Sequence, residues 1–179
     1  YAEESKIPFD LGIIRNHYTG RTFIEPSAEI RNLGVRLKHN ANSAYLAGKR
    51  VILVDDSIVR GTTSKKIVSM VRAAGAAEVH MRVSSPPISD SCYYGIDTPT
   101  KDELLASKYT IEEMAELIGV DTLAYITPDG LYKAVCGEAR IQDEPQFCDA
   151  CFTSAYPIPI TDHDDGLNPS QLSLLAEVD

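Results

Sequence analysis

The stretch VILVDDSIVRGTTS, residues 51–64, places two adjacent carboxylates directly after an apolar run and follows them with a short, hydroxyl-rich turn. The run VILV is typical of a strand buried on both faces. Apolar residues at helical spacing then predict a helix over 63–74 that ends at Gly75, and the alternation in residues 78–83 predicts a second strand. The apolar face of that helix comprises Ile67, Val68, Val71 and Ala74. A strand, a helix and a strand in this order form a βαβ unit, so the sequence predicts an α/β fold with a parallel sheet.

The same alternation of helix and strand continues towards the C-terminus. A capping box at Thr110 opens a predicted helix that ends at Gly119. Residues 122–127 form a predicted strand, and Pro128 suits the first turn of a short helix that ends at Gly137. We therefore expect further elements to extend the parallel sheet and to cover its faces.

Asp55 and Asp56 end the first predicted strand, and open α/β sheets bind ligands at the carboxyl ends of their strands. The turn that follows opens a helix, so its backbone N–H groups and the helix dipole can converge on a phosphate, with Gly61 allowing a close approach. Carboxylates do not bind phosphate, so the two acids must meet sugar hydroxyls, Mg²⁺ or a developing positive charge. A phosphorylated sugar meets both requirements. The alternative is that the pair simply ends a strand and caps a helix.

Composition and charge limit the classes of function. The net charge of −9 argues against nucleic acid as a partner, and no apolar run is long enough to suggest a membrane span. The start of the sequence has no signal-peptide pattern, which makes the cytoplasm the expected location. Within this acidic chain, residues 15–40 carry five Lys or Arg against two acids, which predicts a long, mobile basic loop that includes His39. The alternative for this loop is a solvated surface excursion.

Residues 51–64 resemble the phosphoribosyl pyrophosphate (PRPP) motif of type I phosphoribosyltransferases: an apolar strand, two acids and a phosphate loop that ends in Gly-Thr. Flanking motifs narrow the resemblance to the amidophosphoribosyltransferase family, in its iron–sulfur-bearing branch. These motifs are GRTFIEPS (20–27), RLKHNAN (36–42), SSPPI (84–88), YGIDTPTKDELLA (94–106) and FCDACFTSAYP (147–157). The family transfers ammonia, released from glutamine, to C1 of PRPP in the first committed step of purine synthesis.

The resemblance implies a role for each matching residue. Asp55 and Asp56 would hold the ribose hydroxyls and Mg²⁺, and Arg21 and Lys38 would be catalytic residues of a flexible loop that closes over PRPP. Closure would bring two cations to the leaving pyrophosphate and exclude water. The implied 5′-phosphate loop comprises Ser57, Ile58, Val59, Arg60, Gly61, Thr62 and Thr63.

The chain has four cysteines, and one CxxC by itself is a weak signal. The resemblance implies that Cys92, Cys148 and Cys151 ligate a [4Fe–4S] cluster, whose fourth ligand would lie before residue 1. Cys136 falls in a helical pattern, which predicts a buried core thiol. The alternative is that all four cysteines bind one Zn²⁺.

The resemblance covers residues 1–157, which we expect to be the C-terminal part of a phosphoribosyltransferase domain, and 158–179 is predicted to be an acidic, mostly disordered tail. Since the sequence starts at Tyr1, we expect an N-terminally truncated chain without the glutaminase domain and with little activity alone. A homo-oligomer inhibited by purine nucleotides is the expectation for the complete protein. The alternatives are a non-catalytic PRPP-sensing regulatory module and a type I phosphoribosyltransferase that acts on a nucleobase. Arg21 and Lys38 favour catalysis, and the three cysteines disfavour a nucleobase enzyme.

Overall fold

The computed structural model describes residues 1–15, 39–142 and 144–158. Their helices and strands follow one another in the order α1 (Ala2–Ser5), β1 (Ile13–Arg15), β2 (His39–Ala41), α2 (Ser43–Leu46), β3 (Arg50–Asp55), α3 (Thr62–Ala73), β4 (Glu78–Val83), α4 (Ile111–Ile118), β5 (Thr122–Tyr125), α5 (Pro128–Cys136) and α6 (Ala150–Thr153). Two 3₁₀ turns, Lys101–Glu103 and Leu105–Ser107, lie between β4 and α4.

The main sheet is parallel, as the sequence predicted. Its strand order is β3-β4-β5, with β4 in the centre. Helix α3 connects β3 to β4 and α4 precedes β5, so the predicted βαβ unit is confirmed. The register aligns Asp55 with Val83 and Val83 with Tyr125, which brings the carboxyl ends of the three strands to one edge.

Burial differs between neighbouring strands. In the central strand β4, Val79, Met81 and Val83 are all buried, as their alternation predicted. The prediction that β3 is buried on both faces is wrong, because Val54 is 56% exposed. In the sheet that the described residues form, β3 is an edge strand. A run of four apolar residues predicted the strand but could not reveal its position in the sheet.

The predicted helix ends agree with the structure to within one residue. Thr110 Oγ1 accepts from the Glu113 N–H, and the Glu113 carboxylate accepts from the Thr110 N–H, which completes the capping box of α4. Helix α5 begins at Pro128, and the Thr127 side chain caps it by accepting from the Gly130 N–H. Left-handed glycines follow these two helices at Gly119 and Gly137.

The hydrophobic core lies between α3, the sheet and α4. Val68 and Val71 of α3 are fully buried, and Ile67 and Ala74 pack against the same cluster. Other buried members are Leu46, Ile58, Val79, Met81, Val83, Met114, Ile118, Val120 and Leu123. The core therefore fixes the position of α3, whose N-terminus faces the carboxyl edge of the sheet.

A small antiparallel ladder joins the chain on either side of the basic segment. Arg15 in β1 pairs with His39 in β2, so His39 lies in a strand rather than in a loop as predicted. The pairing brings the two ends of segment 16–38 to neighbouring positions. Residues 16–38 themselves, and hence most of the predicted basic loop, lie outside the described residues.

The carboxylate of Asp121 joins three elements of the fold. Its Oδ2 accepts from the Val79 N–H at 2.6 Å and from Arg72 Nη2 at 2.8 Å. Arg72 Nε also donates to the Gly119 carbonyl at 3.0 Å. The Val79 N–H, followed by the Arg72 guanidinium, lowers the pKa of the Asp121 carboxyl below its ordinary value of 3.8. The ionised carboxylate therefore stabilises the packing of α3 against the sheet.

Replacing Asp121 with Asn should lower the free energy of unfolding at pH 7. The stabilisation is fully present above the unfolded pKa of about 3.8 and is lost as the pH falls through the lower folded pKa. The deficit of Asp121→Asn relative to the unmodified chain should thus shrink below about pH 4, as measured by urea denaturation across pH. Asp10→Asn, at an exposed carboxylate 3.9 Å from Lys49, is the control and should change little. A deficit of the same size at every pH would contradict the prediction.

Candidate functional site

The carboxyl edge of the sheet holds the two predicted acids next to the strand that follows. The Asp55 carbonyl accepts from both the N–H and the hydroxyl of Ser84, at 3.0 and 3.1 Å. Ser84 is the first residue after β4, so these bonds fix the end of β3 against the end of β4. The structure therefore places Asp55 and Asp56 at the edge where open α/β sheets bind ligands.

The two carboxylates have different surroundings. Asp55 is half-buried, and its Oδ1 accepts from the Asp56 N–H at 3.0 Å. Asp56 is exposed, and its Oδ1 accepts from the Ser57 hydroxyl at 3.1 Å. Asp56 therefore offers carboxylate oxygens to the solvent, where they can accept from sugar hydroxyls or coordinate a hard cation.

The turn over Ser57–Gly61 leads directly into the N-terminus of α3. Ile58 is only 2% exposed and anchors this turn in the core. Gly61 is the N-cap in a left-handed conformation, with φ of 72°, and no side chain caps the helix. The N–H groups of the first turn therefore lack the usual side-chain acceptor, and the helix dipole favours an anion in front of them.

The side chain of Arg60 is turned towards another part of the chain. Its Nε and Nη2 donate to the two carboxylate oxygens of Glu103 at 3.2 and 3.0 Å. The Arg60 guanidinium is the main cause that lowers the pKa of the Glu103 carboxyl. The neighbouring Val59 carbonyl accepts from the Leu105 N–H at 2.9 Å. Arg60 can thus contribute its backbone N–H to the turn, while its guanidinium is paired with Glu103.

Ser85 is a polar residue at this edge that was not among the predicted site residues, although it lies in the motif SSPPI (84–88). Its hydroxyl is buried and, among the described residues, has no hydrogen-bond partner. It lies two residues after Val83, the end of the central strand. The signal available in the sequence was its position close to the carboxyl end of a predicted strand, as for Asp55 and Asp56.

The cysteines predicted to act together lie near one another. The N–H groups of Ser89 and Asp90 donate to the Cys151 carbonyl at 3.1 and 3.2 Å, which joins the segment before Cys92 to the CxxC turn. Burial raises the pKa of the Cys151 thiol, and the thiols of Cys92 and Cys148 raise it further. The Tyr94 N–H donates to Cys92 Sγ at 3.4 Å. The Cys151 thiol is therefore close enough to those of Cys92 and Cys148 to interact with each of them electrostatically.

The prediction for Cys136 is wrong, because its side chain is exposed. It is the last residue of α5, and residues 133–139 are all exposed, so the end of this helix extends beyond the core. The thiol donates to the Tyr132 carbonyl at 3.1 Å instead of packing inside. Helical periodicity predicted the face of Cys136 but not where along the helix the core ends.

The first of the two residues between the cysteines of the CxxC forms a buried ion pair. Asp149 is 4% exposed, and Arg140 Nε and Nη2 donate to its two oxygens. The Tyr132 hydroxyl donates to Asp149 at 3.1 Å, and the Thr153 hydroxyl does so at 3.3 Å. These contacts hold the CxxC turn against α5. The sequence did not predict this pair, since Arg140 matches no motif and the motif over 147–157 does not reveal the partner of Asp149.

Both predicted catalytic residues lie outside the part of the chain that the structure describes. Arg21 and Lys38 lie in segment 16–38, outside the described residues.

Among the described residues, no group of three His, Cys, Asp or Glu side chains is arranged to hold a metal ion. In the same ranges, no helix is long and apolar enough to cross a membrane.

The chain is similar to amidophosphoribosyltransferases over almost its entire length. It is 58% identical to that of Rhizobium etli over 177 residues, 98% of this chain and 36% of the relative. It is 52% identical to that of Bacillus subtilis, over 89% of this chain and 33% of the relative. The chain thus spans about a third of the length of the curated relatives that it matches. No family model matches the sequence.

Two solved structures share the fold. The glutamine PRPP amidotransferase of B. subtilis, complexed with ADP and GMP, superposes with a TM-score of 0.76 at 51% identity, over 91% of this chain and 36% of that one. A structure described as the allosteric regulatory enzyme of purine biosynthesis gives a TM-score of 0.75 at 50% identity, over 91% of this chain and 35% of that one.

The parallel sheet, the acids at its carboxyl edge and the turn into α3 thus define an α/β domain of the type I phosphoribosyltransferase fold, as predicted. By its sequence, the chain belongs to the amidophosphoribosyltransferase family, of whose members it represents about a third.

Gly61 supplies a test of how tightly the turn is built. A Cβ at Gly61 would lie 2.8 Å from Leu105 Cδ2, whereas a Cβ at Gly48 would meet nothing within 4 Å. The two glycines have nearly equal φ, 72° and 70°, so alanine should cost each about 1–2 kcal/mol of backbone strain. Gly61→Ala should destabilise the chain more than Gly48→Ala in urea denaturation, because Leu105 must also move. Equal losses for the two variants would contradict this expectation.

Proposed function

We propose that this chain forms the PRPP-binding part of an amidophosphoribosyltransferase. Such an enzyme hydrolyses glutamine to glutamate and ammonia, and the ammonia displaces pyrophosphate from PRPP to give 5-phosphoribosylamine. The observation that carries the proposal is the position of Asp55 and Asp56 beside the uncapped N-terminus of α3. This arrangement offers negative charge to a sugar and aligned N–H groups to its phosphate. The names and high identity of the relatives support the same reaction.

In this proposal the carboxylates bind the ribose and the turn binds its 5′-phosphate. Asp55 and Asp56 accept hydrogen bonds from the ribose hydroxyls, and the N–H groups of 57–63 donate to the phosphate oxygens. As the bond between C1 and the pyrophosphate oxygen breaks, the ribose becomes positively charged. Two carboxylates on that side of the ring stabilise the charge until ammonia attacks C1.

The oxygen donors of the acidic pair also fit a magnesium ion. Mg²⁺ prefers carboxylate oxygens and retains several waters, and Asp56 is exposed at the edge of the sheet. When bound there, Mg²⁺ would neutralise part of the charge of the pyrophosphate. We propose that Arg21 and Lys38, on the segment between β1 and β2, approach the same leaving group. The β1–β2 ladder supports this role only by holding the two ends of that segment together.

The experiment uses the complete gene product with Asp55 and Asp56 both replaced by Asn. Synthesis of phosphoribosylamine from PRPP and ammonia should be abolished, while hydrolysis of glutamine should continue, because in this proposal the acids contact PRPP and its Mg²⁺ but not glutamine. Asp129→Asn, on the exposed N-terminal turn of α5, is the control and should leave both activities unchanged. Ammonia-dependent synthesis that survives the double substitution would end this assignment.

We further propose that Cys92, Cys148 and Cys151 ligate a [4Fe–4S] cluster, with a fourth ligand from outside this chain. The proximity of Cys151 to both Cys92 and Cys148 and the N–H donated to Cys92 Sγ support the site. One zinc ion is a poorer fit. Sulfurs that bind one metal at about 2.3 Å must lie closer together than sulfurs that bind separate irons. Among the described residues, no three such side chains are arranged around one metal ion. When bound, the cluster would cross-link the Cys92 segment to the CxxC turn.

Each of these cysteines can be tested against Cys136 as a matched control. Serine at Cys92, Cys148 or Cys151 should reduce the iron and acid-labile sulfide of the purified gene product by most of their content, because each position would supply one ligand. Cys136→Ser should leave both contents unchanged, since its thiol is exposed at the end of α5. Full iron content in all three serine variants would contradict the proposed ligands.

Other expectations remain part of this proposal. The structure of the B. subtilis protein with ADP and GMP supports purine nucleotides as feedback inhibitors of this protein too. We also propose a homo-oligomer and a cytoplasmic location, where reduced thiols persist. Residues 1–157 would form the C-terminal part of the transferase domain, with 158–179 as a separate acidic tail.

A further inference from the structure

The segment Lys101–Leu105 lies between the turn of 57–63 and the cysteine-bearing segments and contacts both. It contains a 3₁₀ turn and the start of a second one. It contains neither the acidic pair nor a cysteine, so the proposed function gives it no role. Its contacts nevertheless lead to both sites.

On the cysteine side, the segment is held through a buried carboxylate. Lys101 Nζ lies 2.5 Å from Oδ1 of Asp90, which is 7% exposed. The other oxygen of Asp90 accepts from the Ser154 hydroxyl. Ser154 is the C-cap of α6, the helix that carries Cys151. Asp90 therefore connects Lys101 to the end of the cysteine-bearing helix.

On the other side, the segment contacts three consecutive residues of the turn. Glu103 pairs with both donors of the Arg60 guanidinium, and the Leu105 N–H donates to the Val59 carbonyl. The Leu105 side chain also covers Gly61, where an added Cβ would meet it. The contacts thus include an ion pair, a backbone hydrogen bond and an apolar contact.

The segment itself is rigid enough to connect these contacts. Leu104 is fully buried at its centre. The Ser107 hydroxyl hydrogen-bonds the Lys101 carbonyl at 2.6 Å and the Leu104 carbonyl at 2.8 Å. A buried residue with closed turns on both sides leaves the segment few alternative conformations. Displacing one end of the segment should therefore displace the other end.

We propose that Lys101–Leu105 is a brace that positions the phosphate-binding turn, with Arg60 and Glu103 as positioning residues and Asp90 as its anchor beside the cysteines. This inference rests on the proposed function, because it concerns the affinity of the turn for PRPP. Arg60 then acts through Glu103, and its charge does not have to meet the phosphate. Breaking either end of the brace weakens PRPP binding, while Asp55 and Asp56 stay in place.

Charge reversal distinguishes a positioning pair from a direct phosphate ligand. In the complete gene product, Arg60→Glu and Glu103→Arg should each raise the KM for PRPP by about 3–5-fold in the ammonia-dependent reaction, with kcat changed less than about 2-fold. The double reversal restores an ion pair and should return KM to within about 2-fold of the unmodified protein. Arg50→Gln is the control. It breaks an exposed pair with Glu78 at the amino ends of β3 and β4, far from the turn, and should leave KM unchanged.

The anchor is tested with Asp90→Asn and Lys101→Gln, and thermal unfolding is followed to identify variants that do not fold. Both variants should raise the KM for PRPP about 3-fold while glutamine hydrolysis is unchanged, since the turn loses its support and the glutaminase chemistry does not. The proposal would be overturned if the double reversal raised the KM for PRPP as much as Arg60→Glu alone. It would also be overturned if folded anchor variants had an unchanged KM. An unmodified protein that does not use PRPP would instead overturn the proposed function.

Discussion

The parallel pairing of β3 with β4 determines where the acidic pair and the turn into α3 lie. Because Asp55 aligns with Val83, the strands end together and Ser84 reaches the Asp55 carbonyl. The chain must then leave both strands at the same edge, which places Asp56 and the turn into α3 on one side of the sheet. The packing of Val68 and Val71 fixes the direction of α3 and hence of its first N–H groups. A shift of register would separate the carboxylates from those groups.

Much of this arrangement could be predicted because its causes are local. A capping box predicts the start of helix α4, and a proline predicts the start of α5. The alternation of apolar and polar residues predicts strand β4. The acids and the turn lie within nine consecutive residues, so their proximity follows from chain connectivity alone. The predictions failed for Val54 and Cys136 because exposure depends on where an element lies in the whole fold, which a local pattern does not encode.

The long-range contacts were not predictable from the sequence alone. Asp90 meets Ser154 across 64 positions, and Arg60 meets Glu103 across 43. Charged residues at such separations have many possible partners in a chain with 26 acids, so spacing cannot select among them. The same holds for Asp149 and Arg140, whose pairing depends on how the CxxC turn packs against α5. Here the three-dimensional fold supplies information that periodicity and motifs do not.

The absence of a capping side chain on α3 bears on how this site can change during evolution. Every amino acid except proline carries the same main-chain donor, so most substitutions over Ser57–Thr63 leave the number of available donors intact. The side chains of this turn are therefore constrained by the core contact of Ile58 and by the Arg60–Glu103 pair rather than by the need to donate to an anion. Gly61 is constrained by conformation, since its backbone angle is one that other residues rarely adopt. A lineage could thus replace several side chains of this turn and still retain the shape that holds an anion.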